Sequence, residues 1–153
     1  MWSISIATAH DINEVEVIRY EMLKVVNHLT EGYVFEDEFK TNTREYFLHG
    51  DQTTVLARDY GEVIGCATIC YTNLMPTFDH PSGKRAHIMN IYTREGYRRK
   101  GIATQMMMAL MEEARKCMVT EISLDATTEG RPMYEKCGFK ASREGMVLNL
   151  VSK

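Results

Sequence analysis

The chain has 153 residues, 44% of them hydrophobic and 25% charged, which suits a single globular domain spanning 1–153 with a sizeable core. Its formal net charge of −3 argues against a nucleic-acid binder that works through overall charge. No run reaches the ~18 apolar residues of a membrane span, and Met1-Trp2-Ser3-Ile4-Ser5 lacks the basic start and apolar core of a secretion signal, so a cytoplasmic location is expected.

Ile4 and Ile6 alternate with Ser3 and Ser5, which predicts a short first strand ending at Ala7-Thr8. Asp11, with Glu14 after it, has the spacing of a capping box. Val15, Ile18, Met22, Val25, Val26 and Leu29 then give one apolar helical face as far as about Leu29. A second helix is expected from about Glu36 to Leu48, anchored by Phe39, Tyr46 and Phe47 and stopped near His49-Gly50. Thr53 to Arg58 and Val63 to Tyr71 read as an antiparallel hairpin turning at Asp59-Tyr60-Gly61-Glu62.

Asn73 to Lys84 contains Pro76, Pro81 and Gly83 without periodicity and is expected to be a long loop. A strand from Ala86 to Thr93 follows, then a helix from about Gly101 to Met118 with Ala103, Met107, Leu110, Ala114 and Met118 along one stripe. Met106, Met107, Met108 and Met111 on that helix read as core filling. Glu121 to Ala126 reads as a strand and Glu129 to Cys137 as a last helix, with Pro132 in its first turn and Gly138 as its stop. Gly145 to Val151 reads as a closing strand. Strands first in a meander and then alternating with helices predict an α/β (α+β) fold. The expected sheet is mixed, mostly antiparallel, of about six or seven strands flanked by about four helices.

Cys66, Cys70, Cys117 and Cys137 form no Cys-x-x-Cys pair and read as reduced, mostly packed thiols. The histidines His10, His28, His49, His80 and His87 show no ligand spacing, so no metal site is expected.

The stretch Arg98-Arg99-Lys100-Gly101-Ile102-Ala103 joins a strand end to a helix start. Unpaired helix amides, the positive end of the helix dipole and three cations make such a turn suitable for a pyrophosphate. A side chain at Gly101 would hold phosphates away from the backbone. The spacing fits neither a Walker loop nor a dinucleotide fingerprint, which argues against ATP and NAD.

This loop, followed after the next strand by Tyr134-Glu135-Lys136-Cys137-Gly138-Phe139, resembles the GNAT superfamily of acetyl-coenzyme A dependent N-acetyltransferases. In that family an Arg/Gln-x-x-Gly-x-Gly/Ala loop holds the cofactor pyrophosphate. Here Ala103 stands in place of the commoner second glycine. The match in motif order runs from about Ile88 to Phe139. The resemblance implies a sheet that splays open after the fourth strand to admit the pantetheine arm. It places the backbone of Ile91 and Thr93, with Tyr92 between them, against the pantetheine amides, and Arg98 to Thr104 around the pyrophosphate. It implies Tyr134 beside the cofactor sulfur.

The chemistry makes its own demands. An amine with a pKa of ~10.4 is almost wholly protonated at neutral pH, so the attacking nitrogen needs a base or a desolvating pocket. A tyrosine at ~10 is a weaker acid than a thiol at ~8.5, so Tyr134 fits a hydrogen-bond donor to sulfur whose proton moves late. His87 is the first candidate base: it lies eleven residues before Arg98, and the resemblance implies a general base at about that spacing in some members of the family. Period-two parity puts it on the strand face of Ile91. Glu36, Asp37, Asp79, His80 and a water relay remain competitors.

The expected partner is a small-molecule or peptide amine, with neither nucleic acid nor membrane, and the family's habit of pairing makes a homodimer an open alternative. Glu31, Glu36, Asp37 and Glu38 would favour a cationic amine if they lined the acceptor cleft. A protein lysine, a polyamine, an amino acid and an aminoglycoside all remain open. Three other classes are weighed against the acetyltransferase: a non-catalytic acyl-coenzyme A sensor, a phosphate- or nucleic-acid-binding domain using Arg98-Arg99-Lys100, and a cysteine-nucleophile enzyme using Cys66 or Cys137 with a histidine, which no local feature pairs.

Overall fold

A computed structural model describes residues 1–142 and 144–151. β1 (Trp2–Ile6), β2 (Gln52–Asp59), β3 (Glu62–Asn73), β4 (Lys84–Thr93) and β5 (Glu121–Leu124) form one sheet in chain order. The first four strands are antiparallel and β5 joins β4 in parallel. Among the described residues four α-helices accompany them: α1 (Ile12–Val26), α2 (Asp37–His49), α3 (Ile102–Lys116) and α4 (Arg131–Lys136).

Alternation along the strands sends side chains to two faces. Val55 and Ala57 of β2 join Ile64, Ile69 and Ile88 under α3, where Ile102, Met106, Met107, Leu110 and Ala114 supply the helical stripe. Leu56, between them, points to the other face and meets Val15, Ile18 and Met22 of α1. Met106 and Met107 are core, as expected, whereas Met108, also expected in the core, is 61% exposed, and Met118 lies beyond the helix and is exposed.

The two-residue turn Tyr60-Gly61 closes β2 onto β3 with Asp59 opposite Glu62 and both turn residues at positive φ, as a type I′ hairpin requires. The loop expected from Asn73 to Lys84 is shorter at both ends, because Asn73 and Lys84 pair with each other. It is closed by Leu74 N–H donating to the Gly83 carbonyl.

Asp11 precedes α1 as foreseen, but its carboxylate turns backward. It accepts from the Thr8 N–H at 2.8 Å, so the capping box is Thr8 with Asp11 around a 3-10 turn, and Glu14 instead pairs with Arg58. The helix ends at Val26 rather than Leu29, leaving Val25 and Val26 exposed.

The closing strand expected at Gly145 to Val151 is not formed, so the sheet has five strands rather than six or seven among the described residues. Met146, Val147, Leu148, Leu150 and Val151 are 75–97% exposed. Their β-forming side chains give propensity, but pairing is a tertiary event that propensity does not supply. The outer edge of β5 is left without a strand partner among the described residues.

Candidate active site

The register of β3 with β4 slips between Cys66/Tyr92 and Thr68/Met89, so that Asn90 and Ile91 together oppose Ala67. This is a β-bulge, and Asn90 sits in it at φ +61. Asparagine tolerates the left-handed region better than most residues. Its side chain fixes the kink. Asn90 Nδ2 donates to Thr68 Oγ1 at 3.2 Å, and Oδ1 accepts from Arg19 Nη1 at 3.1 Å. The Cys66 thiol donates to the Asn90 carbonyl at 3.2 Å, and burial pushes its pKa up to about 12, which makes it a packing thiol.

The bulge breaks the strand parity. Ile88 and Ile91 both face the cluster under α3, while Tyr92 turns to the α1 side. His87 therefore does not share a face with Ile91, contrary to the period-two expectation. His87 Nδ1 lies 2.8 Å from Ser123 Oγ, and Nε2 lies 3.7 Å from an Asp125 carboxylate oxygen. Both contacts are with β5 and the residue after it. Of the competing bases, His80 contacts Thr120 and Glu121, and Glu36 and Asp37 begin α2 on its exposed side.

β5 pairs with β4 only from Arg85 to Ile88 and ends at Leu124. Beyond Ile88 the β4 edge on that side therefore has no strand partner among the described residues, which leaves a gap there. Arg94 N–H bonds to the Ile64 carbonyl, so by alternation the Tyr92 backbone faces β3 and those of Ile91 and Thr93 face the gap. Tyr92 is thus a support, with its ring buried and the Arg98 guanidinium 6.0 Å from the ring centroid. The Thr93 hydroxyl is buried without a hydrogen-bond partner among the described residues.

That free edge runs through a 3-10 turn (Glu95–Tyr97) into the basic loop. Arg98, Arg99, Lys100 and Gly101 are exposed, and Ile102, Ala103 and Thr104 form the first turn of α3. Gly101 is the N-cap at φ +83 and Arg99 lies at φ +63. Among the described residues no side chain caps the helix, and the space where a Cβ of residue 101 would sit is open to 4 Å. Free amides, a left-handed turn and three cations make an anion cradle. Together with the orphaned Thr93 hydroxyl it fits a long ligand with a polar arm and a phosphate end.

Tyr134 lies half-buried in α4, its ring against Gly130 and edge-on to Phe139 at 6.3 Å. It packs on the same apolar cluster as Ile91 and Leu124, the residues at the mouth of the gap. Burial, and then the nearby Cys137, raise its pKa, so the hydroxyl stays protonated and able to donate. Among the described residues nothing accepts that proton.

On the α1–α2 side of the bulge lies a cavity of about 230 Å³ bordered by Arg19, Phe39, Phe47, Cys70, Met89 and Asn90. Sequence reading missed Arg19 and Asn90. An arginine amid a helix reads as solvated, whereas Asn90 within an otherwise apolar strand end was a usable sign of a bulge. None of Glu31, Glu36, Asp37 and Glu38 lines this cavity.

Comparison with known proteins agrees with this geometry. A predicted acetyltransferase of Clostridium acetobutylicum, solved with acetyl-CoA, is 30% identical and superposes with a TM-score of 0.84 over 98% of this chain and 97% of its own. The glucosamine 6-phosphate N-acetyltransferase of Trypanosoma brucei brucei is 29% identical over 90 residues, a match spanning 59% of each chain. Its counterpart from Arabidopsis thaliana is 23% identical over 126 residues, 82% of this chain and 85% of its own. The profile of the acetyltransferase (GNAT) family matches residues 20–139, and the chain belongs to that family.

Proposed function

We propose that this protein moves the acetyl group of acetyl-coenzyme A directly to an amine in a ternary complex, without a covalent acyl-enzyme. One observation carries the reading: the free edge of β4 at Ile91 and Thr93 leads straight into the uncapped, cationic start of α3. The bound thioester supplies an activated acyl group.

The chain's own residues bind and orient it. The backbone of Ile91 and Thr93 pairs with the pantetheine amides as an added strand would, and the Ile91 N–H polarises the thioester carbonyl. Arg98, Arg99 and Lys100, with the N–H groups of Gly101, Ile102, Ala103 and Thr104, hold the pyrophosphate. Tyr134 donates its hydroxyl hydrogen bond to the departing sulfur. His87, braced by Ser123 and Asp125, takes the proton from the attacking amine, directly or through water.

Calorimetric titration with acetyl-coenzyme A, with dephospho-coenzyme A and ATP as controls, tests the cradle. Saturable binding with ATP silent, followed by amine-dependent thiol release, is the expected result. No binding at millimolar cofactor removes the reading, and binding without thiol release to any amine returns the sensor. The open β5 edge and the exposed Met146 to Val151 segment also support association of two copies, which light scattering at several concentrations tests.

A further inference from the structure

The cavity beside the Asn90 bulge is walled by Phe39, Phe47 and Met89, and Arg19 is the only charged side chain that lines it among the described residues. The carboxylates nearest to Arg19 along α1 are engaged elsewhere. Glu16 pairs with Arg44, and Glu21 accepts from Arg94 at 2.9 Å. Arg19 itself has no carboxylate partner among the described residues. Its one side-chain hydrogen bond there spends a single N–H on Asn90 Oδ1, out of the five that a guanidinium offers.

A half-buried cation among aromatic rings without a counter-ion is costly unless something anionic joins it. Burial indeed lowers the pKa of Arg19 from its ordinary value. Through Asn90 the guanidinium is tied to the residue preceding Ile91, whose backbone faces the gap between β4 and β5. An anion held at Arg19 would place the rest of a small ligand next to that backbone. The same positive charge disfavours the protonated form of a nearby amine, which is what the nucleophile requires.

We infer that Arg19 selects the acceptor: a small amine that carries a carboxylate or phosphate, with the anion on the guanidinium and its frame against Phe39, Phe47 and Met89. This rests on the acetyl-transfer reading and narrows it. It also departs from the cationic acceptor that the acidic cluster suggested, because those acids lie off the cavity.

The test is the rate of thiol release with two matched pairs. L-leucine against L-leucinamide reads a carboxylate, and D-glucosamine 6-phosphate against D-glucosamine reads a phosphate. The charged member of at least one pair is expected to exceed its neutral partner by about tenfold or more in kcat/KM, a charge-assisted pair's worth, and that pair names the anion. Arg19→Gln keeps a donor for Asn90 but removes the charge, so the ratio should collapse toward one, and Arg19→Lys should restore part of it. Because a ratio is read, a general loss of activity cancels.

A wild-type ratio near one in both pairs, a ratio retained in Arg19→Gln, or no turnover of any of the four amines overturns the inference. Calorimetry with acetyl-coenzyme A runs beside it. Intact cofactor binding with a flat ratio condemns Arg19 alone, and absent cofactor binding condemns acetyl transfer itself.

Discussion

Arg98 donates through Nε to the carbonyl of Thr93 at 2.9 Å, so the first cation of the loop is tethered to the last residue of β4. The tether holds a flexible side chain beside the free strand edge before any ligand arrives, and it leaves the terminal nitrogens to face an anion. Arg98→Ala should weaken acetyl-coenzyme A binding by about tenfold or more in calorimetry, the value of one charge-assisted hydrogen bond. Arg98→Lys should recover little of it, since lysine keeps the charge but cannot make both contacts. Unchanged affinity in Arg98→Ala would separate this loop from the cofactor.

Gly101→Ala should act on both stability and binding. No heavy atom lies within 4 Å of the added methyl, so the cost is conformational: φ is +83, where an L-residue is disfavoured by about 1–2 kcal/mol. For a chain of this size that lowers Tm by roughly 2–8 °C. The methyl would also point into the space that the cradle leaves for phosphate. Gly96→Ala is the control, equally uncrowded but without a positive φ, and should change neither quantity. Equal behaviour of the two variants would remove the special role of Gly101.

Tyr134→Phe should lower kcat by about 10²-fold and leave acetyl-coenzyme A affinity in place, because it deletes one proton donor and keeps the ring. Burial raises the Tyr134 pKa above its ordinary value of 10.0, so the hydroxyl remains protonated and no loss of rate from its ionisation should be seen below that pH. Stopped-flow thiol release across pH reads both. A kcat equal to wild type would take Tyr134 out of the mechanism.

What the sequence made legible was what is local. The hairpin at Tyr60-Gly61 and the strand-to-helix loop at Gly101 are fixed by a few adjacent residues, and both stand where expected. The bulge at Asn90 is set by two distant partners, Thr68 on the neighbouring strand and Arg19 on α1, that lie 22 and 71 residues away. A period-two count cannot see it, and one inserted residue reverses every face beyond it. That is why a period-two count puts His87 on the face of Ile91. The closing strand failed for the same kind of reason, since Gly145 to Val151 has strand chemistry but no pairing partner among the described residues.

His87→Gln tests the remaining assignment. Glutamine preserves size and a hydrogen bond to Ser123, now 2.8 Å from the imidazole, but cannot accept a proton at neutral pH. If His87 takes the amine proton, kcat should fall with cofactor affinity and Tm intact. A packing role would lower Tm and leave kcat of the folded enzyme near wild type. Asp125→Asn should mimic the rate loss in part, because it removes the carboxylate 3.7 Å from Nε2.

Arg94 joins α1 to the end of β4, donating to both carboxylate oxygens of Glu21 at 2.9 Å and to Glu62 at 2.7 Å. Partial burial alone would raise the Glu21 pKa, but the hydrogen bonds from Arg94 and Tyr92 outweigh it, and the net shift is downward from 4.5. A depressed carboxylate stabilises the fold above its unfolded pKa, and that stability drains away as pH falls through the lower folded value. The pair is partly exposed and screened by salt, so its contribution is about 1 kcal/mol at most. Glu21→Gln should therefore lower Tm at neutral pH, and the gap to wild type should close as pH drops below 4.5. A gap that stays constant from neutral to acid pH would mean that Glu21 contributes shape and packing to the α1–β4 junction, and its charge nothing.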